Sequence, residues 1–183
     1  MKKIFFLLLT NLLLFNILFS INLLSNPSFE TNSFLTVSSP FDTTINTSIW
    51  GKTNYVERVN NQSYDGNYSL FVSKPIFQLN KGFEQIVYFS KGNYSTVDLS
   101  LYAKNNYGNN GSYAMYVYFL DSNRSVLSYY YTFFTPQSNW SKFLLTNISI
   151  HNNTSYIQVV VRAPNVYSSV YSAYFDKIEL IPQ

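Results

Sequence analysis

Apolar and polar residues alternate along several short segments of this chain, and this alternation constrains the fold more than any other feature. From Val97 to Ala103, every second residue is apolar. A period of two places alternate side chains on opposite faces of a β-strand, whereas an amphipathic helix needs a period of about 3.6. Turn-forming residues such as Asp65-Gly66-Asn67 separate the segments, and no helical pattern lies between them. The chain is therefore predicted to be all-β and to form an antiparallel sandwich.

The positions of the strands follow from this alternation and from short apolar runs bounded by turn residues. The predicted strands are Tyr68–Ser73, Phe83–Ser90, Tyr94–Lys104, Tyr113–Leu120, Val126–Thr135, Trp140–Ile150, Tyr156–Ala163 and Tyr174–Leu180. Leu23 and Leu24 are predicted to form a short edge strand, which ends at Asn26-Pro27 because proline restricts its own φ and that of the residue before it. Residues 31–48 are predicted to be a long polar loop.

The first 21 residues differ in composition from the rest of the chain. Lys2 and Lys3 precede a nearly continuous apolar stretch, residues 4–21. Its length lies between a secretory apolar region of about 7–15 residues and a spanning helix of about 20. Two alternatives remain open: a cleaved signal peptide, with a new N-terminus between Ser20 and Ser25, or a retained N-terminal membrane anchor. Either one predicts that the domain of residues 22–183 is secreted or lies at the cell surface.

Composition excludes several classes of function. Charged residues make up only 11% of the chain, and the net charge is +3. No basic cluster is present, so binding to nucleic acid is not expected. The chain has no cysteine and one histidine, His151, and it shows no nucleophile motif or phosphate-binding loop. We therefore predict neither disulfides nor thiolate metal sites, and we predict that the protein is not an enzyme.

The two ends of the domain carry a family resemblance. They read NLLSNPSFE at residues 22–30 and YFDKIEL at 174–180, with Trp50 and DGNYSLFV, residues 65–72, between them. Together with the later segments at 83–104 and 156–164, this ordered set resembles the CenC-type carbohydrate-binding modules of the galactose-binding-like superfamily. The resemblance implies a jelly-roll β-sandwich (galactose-binding-domain-like) that binds sugar without catalysis.

A sugar-binding face is predicted from the alternation in three strands. The outward side chains of these three strands are expected to share one face. The predicted members of this face are Asp98, Tyr102, Tyr116, Tyr118, Gln158 and Arg162. Aromatic rings bind the C–H faces of sugar rings, while amide, carboxylate and guanidinium groups bind the hydroxyls. The alternative is that these tyrosines are simply good strand formers. The resemblance adds Trp50 as a residue that either stacks on ligand or packs in the core.

A metal site is predicted at the two ends of the domain. If the first and last strands lie side by side, Glu30 and Asp176 converge, and two adjacent carboxylates need a cation or a shared proton. The resemblance implies a structural calcium ion held by Glu30 and Asp176, with Asn26 as a weaker third ligand. Lys177 stands where the family usually has a second acid. The alternative is that these are surface acids, or that Asp176 pairs with a lysine or with backbone N–H groups.

The sequence as a whole predicts an exported, non-catalytic glycan-binding module that uses an aromatic-lined sheet face or the loops at the edge of that sheet. Its expected partner is a polysaccharide, an oligosaccharide or a cell-surface glycan, and it would contact a membrane only through an uncleaved N-terminal segment. The low charge and the many asparagine and tyrosine residues also suit an alternative from another class. That alternative is a structural or adhesive protein of a cell surface, filament or virion, with the same fold and no specific sugar ligand.

Overall fold

The computed structural model describes residues 21–75, 80–106, 111–163 and 171–183. The predicted signal peptide or anchor lies almost wholly outside these residues. Within the described ranges the chain forms eleven β-strands and no helix, which confirms the prediction of an all-β fold. The part of the chain that is described accordingly contains no helix long and apolar enough to cross a membrane.

The strands form two sheets that face each other. They are β1 (Phe34–Thr36), β2 (Trp50–Lys52), β3 (Val56–Val59), β4 (Ser69–Lys74), β5 (Gly82–Tyr88), β6 (Thr96–Asn105), β7 (Tyr113–Leu120), β8 (Val126–Phe134), β9 (Ser141–Ser149), β10 (Tyr156–Arg162) and β11 (Tyr171–Pro182). One sheet has the order β1-β2-β5-β10-β7-β8 and the other β3-β4-β11-β6-β9. The β1–β2 pair is parallel and the other pairs are antiparallel.

The core lies between the sheets and is built from the inward positions of each strand. The residues predicted to face inward on β6, β7 and β10 are all at most 1% exposed: Val97, Leu99, Leu101, Ala103, Met115, Val117, Phe119, Ile157, Val159 and Val161. Burial of so much apolar area is the main stabilisation available to a chain without disulfides. The two-residue period therefore predicted the inward positions of these strands correctly.

The N-terminal segment lies beside the last strand, as predicted, but it is not a regular strand. The Leu23 N–H donates to the Leu180 carbonyl at 2.9 Å. The side chain of Asn22 makes the hydrogen bonds to β11 that the backbone of a paired strand would make. Its Oδ1 accepts the Leu180 N–H at 2.9 Å, and its Nδ2 donates to the Ile178 carbonyl at 3.0 Å. An asparagine amide offers both a donor and an acceptor, so it can substitute for a backbone unit at this edge.

The predicted 31–48 loop contains the short strand β1 and then covers part of the outer face of the six-stranded sheet. Val37 and Ile45 are buried there against Ile86 and Leu120. Phe41 packs beside this patch, against Tyr116 and Tyr118 of β7. The covering loop leaves the part of the sheet nearest β8 open, and this open part forms the groove described next.

Candidate functional site

A groove of about 420 Å³ lies on the outer face of the six-stranded sheet. Its lining is almost entirely aromatic and comprises Phe41, Tyr116, Tyr118, Tyr129, Tyr131, Phe133 and Arg162. Strands β7, β8 and β10 supply the floor. The loop between β1 and β2, residues 37–49, supplies one wall through Phe41. A concave site with rigid aromatic walls and few polar groups is the usual form of a small-molecule or sugar site.

Four tyrosines form the floor of the groove, and we call Tyr116, Tyr118, Tyr129 and Tyr131 the tyrosine cluster. The antiparallel register places Tyr116 opposite Tyr131 and Tyr118 opposite Tyr129. The four pairs of neighbouring rings have centroids 5.3–6.3 Å apart and interplanar angles of 17–24°. The rings therefore lean in the same direction and present a row of similar faces along the two strands.

Arg162 provides the charge at one end of the tyrosine cluster. Its Nη2 donates to the Tyr116 hydroxyl at 2.6 Å. Its guanidinium carbon lies 4.9 Å from the ring centroid of Tyr116 and 5.1 Å from that of Phe41. A guanidinium held between two rings is fixed in position by cation–π attraction and by packing. Its remaining N–H groups can donate to ligand oxygens at the groove.

The Phe41 wall is anchored by a buried acid. Glu84 is fully buried, and its Oε2 accepts the Phe41 N–H at 2.6 Å and the Gln158 amide at 2.7 Å. Its Oε1 accepts the Asp42 N–H at 3.2 Å. Burial raises the pKa of the Glu84 carboxyl to about 7, although these donors act in the opposite direction. Phe41 itself has a φ of 89°, so the loop adopts a strained backbone where it is bound.

The structure brings together only part of the predicted sugar-binding face. Tyr116, Tyr118 and Arg162 do line the groove. Gln158 is on the same face of the sheet but is 1% exposed, because it lies beneath the 37–49 loop against Glu84. Gln158 therefore stabilises the groove indirectly, through its hydrogen bond to Glu84, and does not contact a ligand in this arrangement.

The prediction that Asp98 and Tyr102 share this face is wrong. Both lie on β6, which belongs to the five-stranded sheet, whereas β7 and β10 belong to the six-stranded sheet. Alternation shows which side chains point away from the core, but in a sandwich both sheets have such an outer face. Asp98 instead accepts the Asn147 N–H at 2.7 Å. Tyr102 stacks on Tyr64, with ring centroids 3.6 Å apart.

Trp50 is a core residue and cannot stack on a ligand in this structure. It is 1% exposed and packs against Phe29 and Phe83 at centroid distances of 5.2 and 5.7 Å. Its indole N–H donates to the carbonyls of Ser25 and Asn26. Of the two roles expected for Trp50, ligand stacking and core packing, the structure therefore shows core packing. Trp50 and its N–H fix the N-terminal segment against β2.

The groove also contains four residues that the sequence did not assign to it: Phe41, Tyr129, Tyr131 and Phe133. The run Tyr129-Tyr130-Tyr131 was visible, but consecutive aromatics hide which members share a face. Pairing β8 with β7 as a hairpin across the turn at residues 121–125 gives that information, because it places Tyr129 and Tyr131 opposite Tyr118 and Tyr116. Phe41 gave no signal, since it lies in a loop.

Asp176, the first predicted metal ligand, is fully buried and is held by backbone N–H groups. Its Oδ2 accepts from Tyr64 at 2.7 Å and from Asp65 at 2.9 Å, and its Oδ1 accepts from Lys177 at 2.7 Å. Burial raises the pKa of the Asp176 carboxyl to about 6, against the lowering effect of the same N–H donors. The alternative in which backbone N–H groups pair with Asp176 is thus the arrangement observed.

Glu30, the other predicted carboxylate ligand, contacts the same turn, at the two residues that follow Gly66. Its Oε1 accepts the N–H groups of Asn67 and Tyr68 at 2.9 and 3.0 Å. The guanidinium of Arg58 donates to the carbonyls of Phe29 and Glu30 and stacks on Tyr68, with its central carbon 3.2 Å from the ring centroid. The carbonyl oxygens of Phe29 and Glu30 therefore already accept hydrogen bonds from a permanently charged side chain.

These side chains do not fit a calcium site. Calcium takes six to eight oxygen ligands, and an oxygen of each of these three side chains already accepts a hydrogen bond from the backbone. Asn26 uses both ends of its amide on the backbone of Thr31. The N–H groups that point at Glu30 and Asp176 compensate the charges that a calcium ion would otherwise compensate.

Comparison with known proteins identifies the fold. No protein-family model matches the chain, and no curated protein matches it in sequence. Among solved structures, the chain is similar to the CBM22-1 xylan-binding domain of Xyn10C from Paenibacillus barcinonensis. That match has a TM-score of 0.59 and 17% identity, and it covers 89% of this chain and 95% of that one.

Two further structures show the range of proteins that share the architecture. TmCBM61, solved with β-1,4-galactotriose, matches with a TM-score of 0.56 and 18% identity over 90% of this chain and all of that one. Tailspike protein 4 of bacteriophage CBA120 matches with a TM-score of 0.58 and 14% identity over 89% of this chain but only 22% of its own. The predicted jelly-roll sandwich, and its likeness to carbohydrate-binding modules in architecture, are therefore confirmed.

Proposed function

We propose that this domain binds a polysaccharide in the groove over the tyrosine cluster and does so without catalysis. The observation that carries the proposal is the set of four similarly inclined tyrosine rings beside a fixed guanidinium. The apolar C–H face of a sugar ring packs on such rings, while their hydroxyls and Arg162 exchange hydrogen bonds with the sugar hydroxyls. An open groove along two strands suits a chain of sugars better than one sugar.

A neutral, β-linked polysaccharide is the class we propose as ligand. Among the described residues that line the groove only Arg162 is charged, so uncharged aromatic rings would make most of the contact with a ligand. The similar structures named above include one that binds xylan and one solved with β-1,4-galactotriose, which supports this class. We further propose that the apolar N-terminal segment exports the domain, so that it meets such polymers outside the cytoplasm.

Among the described residues, the groove offers no pair of groups of the kind that glycoside hydrolysis requires. That reaction commonly uses two carboxyl groups that flank the scissile bond. None of the described residues that line the groove is an acid. The nearby Glu84 is buried, and both of its oxygens accept hydrogen bonds from the protein. These features support a binding role for the groove.

An array of immobilised polysaccharides tests the proposal directly. Purified residues 22–183, which contain the whole described core, would be applied to xylan, β-1,4-galactan, cellulose derivatives and charged polymers such as pectin. We expect retention on at least one neutral β-linked polymer and no release of reducing sugar during incubation. Failure to bind any polymer would contradict the binding role, and release of reducing sugar would contradict the absence of catalysis.

A further inference from the structure

Strand β8 forms one edge of the six-stranded sheet, with β7 on its inner side and no described strand on its outer side. Its nine residues, VLSYYYTFF, include no charged residue, no proline and no glycine. Tyr129, Tyr131 and Phe133 are 54%, 49% and 61% exposed. A long, uncharged edge strand rich in aromatic residues is a ready template for pairing with another strand.

The other sheet edges carry features that discourage pairing. Strand β1 has only three residues, and β3 has four, of which two are the charged Glu57 and Arg58. Strand β9 contains Lys142, its Asn147 has a φ of 56°, and its register against β6 shifts nearby. Short length, charge and irregular backbone are the usual means by which proteins block an edge. The pairing of β8 with β7 is regular from Ser128 to Phe134, so none of these devices protects that stretch.

The sequence of β8 is chemically symmetrical about Tyr130. Residues at equal distances from Tyr130 are chemically similar: Tyr129 and Tyr131 are identical, Ser128 and Thr132 both carry a hydroxyl, and Leu127 and Phe133 are both apolar. An antiparallel pair of identical strands centred on Tyr130 would therefore place like residues opposite each other. Aromatic pairs and Ser–Thr pairs stabilise directly opposed positions in antiparallel sheets. This symmetry favours a second copy of the same chain as the partner over an unrelated strand.

We propose that two copies of this chain associate through β8, antiparallel, with the two-fold axis beside Tyr130. Each copy then supplies the same surface, as a two-fold interface requires, and the two six-stranded sheets become one. Because Tyr129 and Tyr131 point to the groove side of β8, the tyrosine clusters of the two copies would lie next to each other. The association does not depend on whether the groove binds sugar, and it would equally serve a structural or adhesive surface protein.

Analytical ultracentrifugation of residues 22–183 over a range of concentrations tests the pairing. We expect a reversible monomer–dimer equilibrium. Tyr130→Lys places two ammonium groups side by side at the axis and should raise the dimer dissociation constant by about tenfold or more. An equimolar mixture of Tyr130→Lys and Tyr130→Glu should restore a dimer, because opposite charges then face each other. Leu144→Lys, at a 55% exposed position on the β9 edge, should leave the equilibrium unchanged.

A single introduced cysteine provides an independent test, since the chain has none of its own. Directly opposed residues of an antiparallel pair have Cα atoms about 4.5–5.5 Å apart, within the range of a disulfide. Tyr130→Cys should therefore form a covalent dimer under mild oxidation, whereas Leu144→Cys should not. A chain that remains monomeric at all concentrations, a dimer unaffected by Tyr130→Lys, or equal cross-linking of the two cysteine variants would overturn the proposal.

Discussion

The Oε2 atom of Glu84 accepts the backbone N–H of Phe41 at 2.6 Å, so a buried carboxylate on β5 holds the loop that forms one wall of the groove. The same carboxylate also accepts the Asp42 N–H. Phe41 has a φ of 89°, a backbone conformation that persists only when surrounding interactions fix it. Glu84 is therefore the residue on which the shape of that wall depends.

Replacing Glu84 by alanine should release the wall. Two loop N–H groups lose their acceptor, so we expect the amides of residues 41 and 42 to exchange with deuterium faster than in the unsubstituted domain. Amides in the β5–β10 ladder should keep most of their protection. Glu57→Ala, which removes an exposed glutamate on β3, is the matched control. It should change neither the exchange of amides 41 and 42 nor the protection of the β5–β10 ladder. Unaltered exchange at residues 41 and 42 in Glu84→Ala would show that other contacts hold the loop.

Stability should depend on pH through the two buried acids. Burial raises the pKa of Glu84 from 4.5 to about 7 and that of Asp176 from 3.8 to about 6. The folded state therefore binds more protons than the unfolded state between these limits, and the free energy of unfolding should fall as the pH rises from about 4 to about 7. Urea denaturation at about pH 5 and about pH 8 measures the difference.

The variant Glu84→Gln isolates the contribution of Glu84 to this effect. Glutamine cannot ionise, so the difference in unfolding free energy between the two pH values should become smaller than in the unsubstituted domain. The exposed Glu57→Gln serves as control and should leave the difference unchanged. A pH dependence identical in all three proteins would mean that Glu84 titrates at its ordinary pKa.

Trp50 and Tyr131 should differ sharply in their effect on stability. Trp50 is 1% exposed and packs against Phe29 and Phe83, so Trp50→Ala should cost about 3–5 kcal/mol of unfolding free energy. Tyr131 is 49% exposed, and Tyr131→Ala should cost about 1 kcal/mol or less. Chemical denaturation of the two variants checks this contrast. A small loss for Trp50→Ala would contradict its placement in the core.

The local rules of strand geometry predicted which residues form the core but not which sheet each strand joins. Val97 and Leu99 on β6 were correctly placed inward, as was Val159 on β10. Tyr102 was nevertheless assigned to the face of Tyr116, although the two lie on opposite sheets. Side-chain alternation is a property of one strand, whereas the choice of sheet depends on pairing between strands far apart in sequence.

The groove was only half predictable for a similar reason. Tyr116 and Tyr118 could be identified from the alternation within β7. Phe41 reaches the groove only because Glu84, distant in sequence, binds its backbone N–H. The calcium expectation rested on the convergence of Glu30 and Asp176 at the chain ends and on the family resemblance. A sequence cannot show that Arg58 from β3 donates to the carbonyls there.

Added calcium should not stabilise the domain. The melting temperature of residues 22–183 should be the same in a chelator and in millimolar calcium, because Arg58 and backbone N–H groups already compensate the oxygens at this site. Arg58→Gln should instead lower the stability by about 1.5–3 kcal/mol, the usual value of hydrogen bonds that involve a charged group. Lys142→Gln, which removes an exposed ion pair with Glu179, should cost less than about 1 kcal/mol. A higher melting temperature in calcium than in chelator would contradict this prediction and would favour a calcium site at Glu30 and Asp176.

Ligand is expected to bind over the tyrosine cluster on the six-stranded sheet, and matched double variants on the two sheets test this location. Tyr129→Ala with Tyr131→Ala removes two exposed rings from the groove, while Tyr64→Ala with Trp140→Ala removes two rings that contact each other at the five-stranded sheet. Isothermal titration calorimetry would use an oligosaccharide of the polymer that the domain retains most strongly on the array. The groove variant should lose affinity by about fivefold or more, since two stacked aromatic contacts of about 0.5–1.5 kcal/mol each sum to about 1–3 kcal/mol. The other variant should bind as the unsubstituted domain does. Unchanged affinity in the groove variant, with loss in the other, would contradict the account.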